Sequence, residues 1–137
     1  MAYTATATTT AGRNGHVRTG DGVIDLDLRL PQELGGPGGD SATNPEALFA
    51  AGYSACFGQA LIALAGAEKI KPEGVHVTAA VTIDKNDGGF FLAVKLTAKL
   101  DGIEPAQAEA LVRRAHEEVC PYSKATRGNI DVSVALA

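Results

Sequence analysis

The sequence predicts an α+β domain in which antiparallel sheet covers one long central helix. Residues 47–67 contain no charged side chain, which is typical of a helix enclosed by the rest of a fold. The segments on both sides alternate between apolar and polar residues, which is the period of half-buried strands. The predicted order is β-β-α-β-β-α-β, and the 137 residues are expected to form a single domain, residues 1–137.

The first two strands are predicted at residues 3–10 and 23–30. In the second, Ile24 and the leucines at 26, 28 and 30 alternate with charged residues, so we expect them to face inward. A glycine-rich connection that contains Arg13 suggests that the two strands pair as a hairpin. Residues 31–43 are predicted to be a loop, since glycine and proline dominate them.

The central helix is expected to begin at Asn44 and Pro45, because Asn is a favoured N-cap and Pro is favoured at the first helical position. Thr43 and Glu46 also fit a capping box one residue earlier, and both starts remain open. Either start places Glu46 in the first turn, where the helix dipole favours a carboxylate. The helix is expected to end near Gly66.

Two further strands are predicted at residues 75–84 and 90–100, joined by a turn at 85–89. An amphipathic helix is predicted over residues 104–119, and Pro121 is expected to terminate it directly after Cys120. Residues 129–136 alternate again and are predicted to close the chain as a strand.

The composition argues against several classes of partner. The formal net charge is −4 and no run of Lys or Arg exists, so a nucleic-acid partner is not expected. The N-terminus lacks a basic segment followed by an apolar one, and a cytoplasmic location is predicted. The central segment is long enough to span a membrane, but it is rich in Ala and Gly and includes Ser54 and Gln59, so no membrane partner is expected.

Cys56 lies within the apolar segment. Helical side chains lean toward the N-terminus, so its sulfur should lie over Gly52 and Tyr53. Because Gly52 lacks a side chain, we expect an opening there, the Gly52 notch, through which a small molecule could reach the sulfur. Alternatively Cys56 is an inert small hydrophobe.

Cys120 lies where a helix must end and is expected near the surface. Its position in the chain allows a reversible disulfide with Cys56 but does not show one.

A reactive thiol needs a cation or hydrogen-bond donor that favours the thiolate. No Lys or Arg lies within a turn of Cys56, so a cation must come from elsewhere in the chain. Arg13 is one of several candidates, and the alternative is that it is a solvated surface charge. His116 and Cys120 are four residues apart, but no other ligand cluster accompanies them, so no metal site is expected. His16 and His76 are expected to be surface histidines.

Four motifs resemble one known family. The runs NPEALFAAGYSACF (residues 44–57) and VCPYSKATRGNIDV (residues 119–132), with GRNG (12–15) and ELGGPGGD (33–40), are similar to organic hydroperoxide resistance proteins, the Ohr subfamily of the Ohr/OsmC superfamily. The likeness covers the whole chain in order, and the CPYS segment favours Ohr over OsmC.

This resemblance implies an OsmC-like fold, an intertwined homodimer and a cysteine-based organic hydroperoxide reductase, a peroxidase. It implies no bound cofactor and an external dithiol reductant, the lipoyl group of a lipoylated protein. Carried over by position, Cys56 is the peroxidatic cysteine and Cys120 the resolving one. Arg13 would stabilise the thiolate and Glu46 would hold Arg13 by an ion pair, with Arg18 as an alternative to Arg13.

The substrate and the reaction geometry are not fixed by the motifs. Apolar side chains near Cys56, among them Phe49, Phe57 and Ile62, suit a substrate with an apolar tail. The alternative function is a non-enzymatic thiol redox sensor or a small-ligand-binding domain.

Glu46 and Cys56 lie ten residues apart, which corresponds to about 15 Å along a helix. One arginine therefore cannot touch both on a straight helix. We expect a bend near Gly52, action on the other subunit's cysteine, or a change of partner by Arg13.

Overall fold

The computed structural model describes the whole chain, Met1–Ala137. Two compact units make up the chain, Met1–Leu48 and Phe49–Ala137. The prediction of a single domain over residues 1–137 stays a prediction. Both units combine strands with helical segments, and the α+β class is confirmed.

The first unit contains a three-stranded antiparallel sheet in the order β1-β2-β3. Its strands are β1 (Ala7–Thr10), β2 (His16–Thr19) and β3 (Asp25–Asp27), with 3-10 turns at Gly12–Asn14 and Gln32–Leu34. Strand β2 was not predicted, and β1 pairs with it rather than with β3, so the predicted hairpin between residues 3–10 and 23–30 is wrong.

The reversal between β1 and β2 explains this difference. Ala11 and Gly12 both have positive φ, which turns the chain back within a few residues. A Cβ at Gly15 would lie 1.6 Å from the carbonyl oxygen of Thr10, so only glycine permits the close approach. Arg13 lies in this turn, as predicted.

Strand β3 is shorter and more exposed than its alternation predicts. Leu26 is 42% exposed, whereas Leu28, just beyond the strand, is buried. The chain leaves β2 at this point: the Leu28 N–H donates to the carbonyl of Gly15, and Leu28 forms an isolated bridge with Thr43. The predicted inward face of residues 24–30 is therefore wrong for Ile24 and Leu26.

Helix α1 (Pro45–Ala67) occupies the predicted position. The Ala47 N–H donates to Asn44 Oδ1 at 2.7 Å, so Asn44, and not Thr43, caps the helix. By length and composition alone the helix could span a membrane. One of its faces nevertheless belongs to an apolar core, through Tyr53, Phe57, Ala60, Leu61, Leu64 and Ala65.

The second unit contains a three-stranded sheet in the order β4-β5-β6. Strands β4 (Gly74–Asn86) and β5 (Gly89–Asp101) form the predicted antiparallel hairpin. Strand β6 (Asp131–Leu136) pairs with β5 in parallel, so the sheet is mixed and not purely antiparallel. Its inner face packs on α1, where Gly58 approaches Val77, and on the apolar face of the next helix.

The second helical segment is broken into three parts. Helix α2 (Pro105–Arg114) continues into a π-helical turn (Ala115–Val119), and a short helix α3 (Pro121–Thr126) follows. The helix end predicted at residue 119 is confirmed, but Pro121 also begins α3, because the first helical position needs no N–H. A residue that precedes proline disfavours the helical region, and Cys120 is accordingly extended.

Candidate active site

The two cysteines of the chain face each other in the second unit. Cys56 lies on α1, and Cys120 lies in the extended link before α3. Both are free thiols, and their Sγ atoms are 3.7 Å apart. A disulfide bond needs about 2.05 Å, so a movement of less than about 2 Å would join them.

Cys120 is only 1% exposed, so its expected place near the surface is wrong. The link that carries it turns into the core, where it joins residues of α1, β5 and α2. Its backbone N–H donates to the carbonyl of Ala115, which closes the π-helical turn over it. Cys56 is half-buried, and a reagent would therefore reach Cys56 first.

Burial raises the pKa of the Cys56 thiol, because it disfavours the charged form. The backbone N–H of Tyr122 acts in the opposite direction and lowers the pKa, and the neighbouring Cys120 thiol raises it again. The net effect of these groups is to raise the pKa of Cys56. A thiolate at neutral pH needs a further positive charge.

Tyr122 fills the Gly52 notch. A Cβ placed at Gly52 would lie 2.9 Å from the Tyr122 hydroxyl oxygen, so the ring rests on the helix one turn before Cys56. Phe49 and Tyr53 surround the same ring, with centroid distances from Tyr122 of 6.3 and 5.7 Å. The open notch that was predicted is therefore wrong: glycine there makes room for an aromatic side chain.

A mainly apolar cavity of about 490 Å³ lies beside Tyr122. Two other cavities, of about 390 and 630 Å³, lie in the first unit and contain no cysteine. The cavity beside Tyr122 includes Pro121, the residue that follows Cys120 in the chain. Its lining comprises Phe49, Leu92, Pro121, Tyr122, Ala125, Thr126, Asn129 and Ile130.

Arg13 and Glu46 form a bidentate ion pair in the first unit, with Nη1–Oε2 at 2.8 Å and Nη2–Oε1 at 2.7 Å. The Glu46 carboxylate raises the pKa of Arg13, and the Arg13 guanidinium lowers the pKa of Glu46. The alternative arginine, Arg18, instead approaches the Asp25 carboxylate at 3.7 Å. The structure thus brings Arg13 to Glu46.

The two other histidines, His16 and His76, lie on strands β2 and β4. Both ring nitrogens of His16 contact carboxylates, those of Asp25 and Asp27. His76 Nε2 lies 3.0 Å from Asp101 Oδ2. No group of three or more His, Cys, Asp or Glu side chains is arranged to hold a metal ion.

A buried polar network adjoins the cysteines, and sequence reasoning missed it. The Tyr53 hydroxyl lies 2.8 Å from Ser123 Oγ and 3.0 Å from Thr126 Oγ1, and His116 Nδ1 lies 2.7 Å from Ser123 Oγ. Ser123 and Thr126 are three residues apart on α3, a spacing that places them on one face. Nothing in the sequence links that face to Tyr53, which lies 70 residues away.

Comparisons with known proteins give a consistent result. A sequence profile of OsmC-like proteins matches residues 38–135. An organic hydroperoxide resistance protein of Xanthomonas axonopodis pv. citri is 50% identical over 98% of this chain and 94% of its own length. Relatives of this identity and coverage share a fold throughout.

Solved structures agree along the whole chain. An organic hydroperoxide resistance protein from Legionella pneumophila has a TM-score of 0.91 at 51% identity, covering 98% of this chain and 97% of that one. The protein OhrB of Bacillus subtilis has a TM-score of 0.88 at 42% identity and covers 98% of both chains.

Proposed function

The chain belongs to the organic hydroperoxide resistance branch of the OsmC-like protein family, and we propose that it reduces organic hydroperoxides with Cys56 and Cys120. A role in peroxide detoxification follows from the relatives. The observation that supports the thiol chemistry is the 3.7 Å contact between the two reduced sulfurs, one half-buried and one fully buried.

In the proposed first step the Cys56 thiolate attacks one peroxide oxygen. The sulfur supplies the electron pair that forms the S–O bond, and the O–O bond breaks. The leaving alkoxide takes a proton and departs as an alcohol, while Cys56 becomes a sulfenic acid.

In the second step the Cys120 sulfur attacks the Cys56 sulfur. The S–S bond forms, the S–O bond breaks, and the hydroxyl leaves as water with the proton of the Cys120 thiol. The short distance between the sulfurs favours this step over attack by a distant thiol.

An external dithiol must then reduce the disulfide by exchange. We propose the lipoyl group of a lipoylated protein, which the family resemblance implies. The two electrons return to Cys56 and Cys120 as the dithiol becomes a cyclic disulfide.

Arg13 and Glu46 are proposed to control the thiolate. Since its surroundings raise the pKa of Cys56, a guanidinium that lowered it would speed the first step. The bidentate bonds of Arg13 to Glu46 support the proposed holding role of Glu46. Whether Arg13 changes partner, acts on the cysteine of the other subunit, or relies on a helix bend stays a hypothesis, although helical structure is uninterrupted through Gly52.

An apolar substrate tail is proposed to occupy the cavity beside Tyr122. Its lining is mostly carbon, and its volume of about 490 Å³ lies in the range of small-molecule sites, roughly 300–1,000 Å³. Hydrogen peroxide would gain nothing from such a surface. We therefore expect larger organic hydroperoxides to be the better substrates.

The homodimer and the cytoplasmic location also remain proposals. The strands β1 and β3 are exposed along their length, and three short strands need an apolar partner for stability. On α1, Ala51, Ala55 and Ile62 are exposed as well. An intertwined second copy would cover such surfaces.

A redox sensor is the second candidate function, because sensor cysteines often lie beside a resolving cysteine, as Cys56 lies beside Cys120. Turnover separates the two functions. We expect the wild-type protein to consume cumene hydroperoxide continuously with dihydrolipoamide, the Cys56→Ser variant to be inactive, and Cys120→Ser to lose sustained turnover. Full activity in Cys56→Ser would refute the assignment.

A further inference from the structure

The buried network beside the cysteines contains Tyr53, Ser123, Thr126 and His116, and is called the Tyr53 network below. Tyr53 and Ser123 are fully buried and Thr126 is 6% exposed. Every buried polar side-chain atom of the chain has a hydrogen-bond partner. The number of protons available to these groups fixes the direction of each hydrogen bond.

Four hydrogen bonds need four protons. They are the two bonds of the Tyr53 hydroxyl, the bond between His116 Nδ1 and Ser123 Oγ, and the bond from Thr126 Oγ1 to the Ser123 carbonyl at 3.2 Å. The three hydroxyl groups supply one proton each. The fourth proton must come from the remaining group, the imidazole of His116.

The direction of every bond follows. Thr126 donates to the Ser123 carbonyl, because a carbonyl only accepts. Tyr53 must then donate to Thr126, and Ser123 must donate to Tyr53. Ser123 has no proton left for His116, so His116 Nδ1–H donates to Ser123 Oγ.

We infer that His116 is a positioning residue: its Nδ1–H closes a one-way chain of hydrogen bonds that fixes Cys120 against Cys56. The inference rests on the proposed thiol exchange between these cysteines. Tyr53 lies one turn before Cys56 on α1, while Ser123 and Thr126 lie on the helix that follows Cys120.

These hydrogen bonds join the segment before Cys120 to the segment after it. His116 belongs to the π-helical turn before Cys120, and Ser123 belongs to α3 after it. Arg127, at the end of α3, also donates to the His116 carbonyl at 2.6 Å. The turn and α3 are thus tied together, and Tyr53 ties both to the helix that carries Cys56.

The tautomer of His116 tests the inference in the wild-type protein. Burial lowers the pKa of His116, and Arg127 lowers it further, so the ring is neutral at pH 8. A proton–nitrogen correlation spectrum of reduced, ¹⁵N-histidine-labelled protein should show a protonated Nδ1 and a bare Nε2. His76, whose Nε2 faces Asp101, should show the opposite tautomer in the same spectrum. A protonated Nε2 on His116 would overturn the inference.

Two matched substitutions test the positioning role. In His116→Asn the amide nitrogen replaces Nδ1 as a donor, whereas in His116→Asp the carboxylate only accepts. Each variant is equilibrated in glutathione buffers of known ratio. Oxidised glutathione takes up the electrons and protons of the two thiols and leaves as two reduced molecules. The disulfide fraction is then measured by alkylation and mass spectrometry.

We expect the disulfide equilibrium constant of His116→Asn to stay within about twofold of wild type, and that of His116→Asp to fall about tenfold, the effect of one lost hydrogen bond. The control His76→Asn should change nothing. Equal losses in both His116 variants, or none in His116→Asp, would contradict the role. Peroxide plays no part in this measurement, so a protein without peroxidase activity would refute the proposed function and leave the inference standing.

Discussion

At the scale of single residues, the Arg13–Glu46 pair is a strong ionic contact whose contribution depends on pH. The Arg13 guanidinium depresses the pKa of Glu46 from its usual 4.5. A carboxylate with a depressed folded-state pKa stabilises the fold above its unfolded pKa and loses that contribution as pH falls through the folded value. The pair therefore stabilises the protein above about pH 4.5 and loses its effect below it.

We predict that Glu46→Gln lowers the free energy of unfolding at pH 7 by about 1 kcal/mol. This loss is smaller than for a fully buried pair, because the Arg13 side chain is 37% exposed and solvent screens its charge. The difference from wild type should shrink as pH falls from about 5 to 3. Urea unfolding across this range measures it, with the exposed Glu109→Gln as control. A difference that persisted unchanged at pH 3 would exclude the ion pair as its cause.

Single residues also show how far a sequence can predict a site. Family motifs predict Cys56, Cys120, Arg13 and Glu46 as site residues, but they say nothing of the distances between them. The sequence before Pro121 also does not show that Cys120 is buried. Its burial comes from the π-helical turn and α3, which fold back on α1. The Tyr53 network joins residues 70 positions apart, so no local pattern could predict it.

At the scale of elements, α1 begins at a cap that local chemistry sets. Asn44 Oδ1 accepts the Ala47 N–H, whereas Thr43 takes part through its backbone, in bonds with Asp27 and Arg29. The start of α1 was therefore predictable. The β2 strand was not, because its four residues include a single buried side chain, Val17.

The cap gives a direct prediction. Asn44→Ala should destabilise the protein by about 1 kcal/mol, because the Ala47 N–H loses its acceptor. Asn44→Asp should keep most of that stability, since its carboxylate accepts the same bond and suits the helix dipole. Urea denaturation measures all three proteins. A loss in Thr43→Ala as large as in Asn44→Ala would instead indicate the capping box.

At the scale of the whole molecule, exposed apolar side chains are the reason to expect a second copy of the chain. They include Val23, Leu26, Ile62, Phe90 and Phe91. A second copy packed against these side chains would remove their apolar surface from water.

We predict a mass of twice 14.0 kDa in light scattering coupled to size exclusion, at micromolar concentration and in reducing buffer. Leu26→Lys should shift the protein toward the monomer, because a charge in an apolar interface is costly to bury. The control Thr8→Lys, with a small polar side chain replaced on an exposed strand, tests whether added charge alone has this effect. A wild-type monomer under these conditions would contradict the homodimer.

The central claim is that Cys56 reacts with the hydroperoxide and Cys120 resolves the product. Intact-mass analysis after one equivalent of cumene hydroperoxide, with a trap for sulfenic acid, tests it most directly. Wild-type protein should lose two thiol hydrogens and take up no trap. Cys120→Ser should carry one trap on Cys56, and Cys56→Ser should keep its thiol. A trapped Cys120 in the Cys56→Ser variant, or no reaction in Cys120→Ser, would contradict the account.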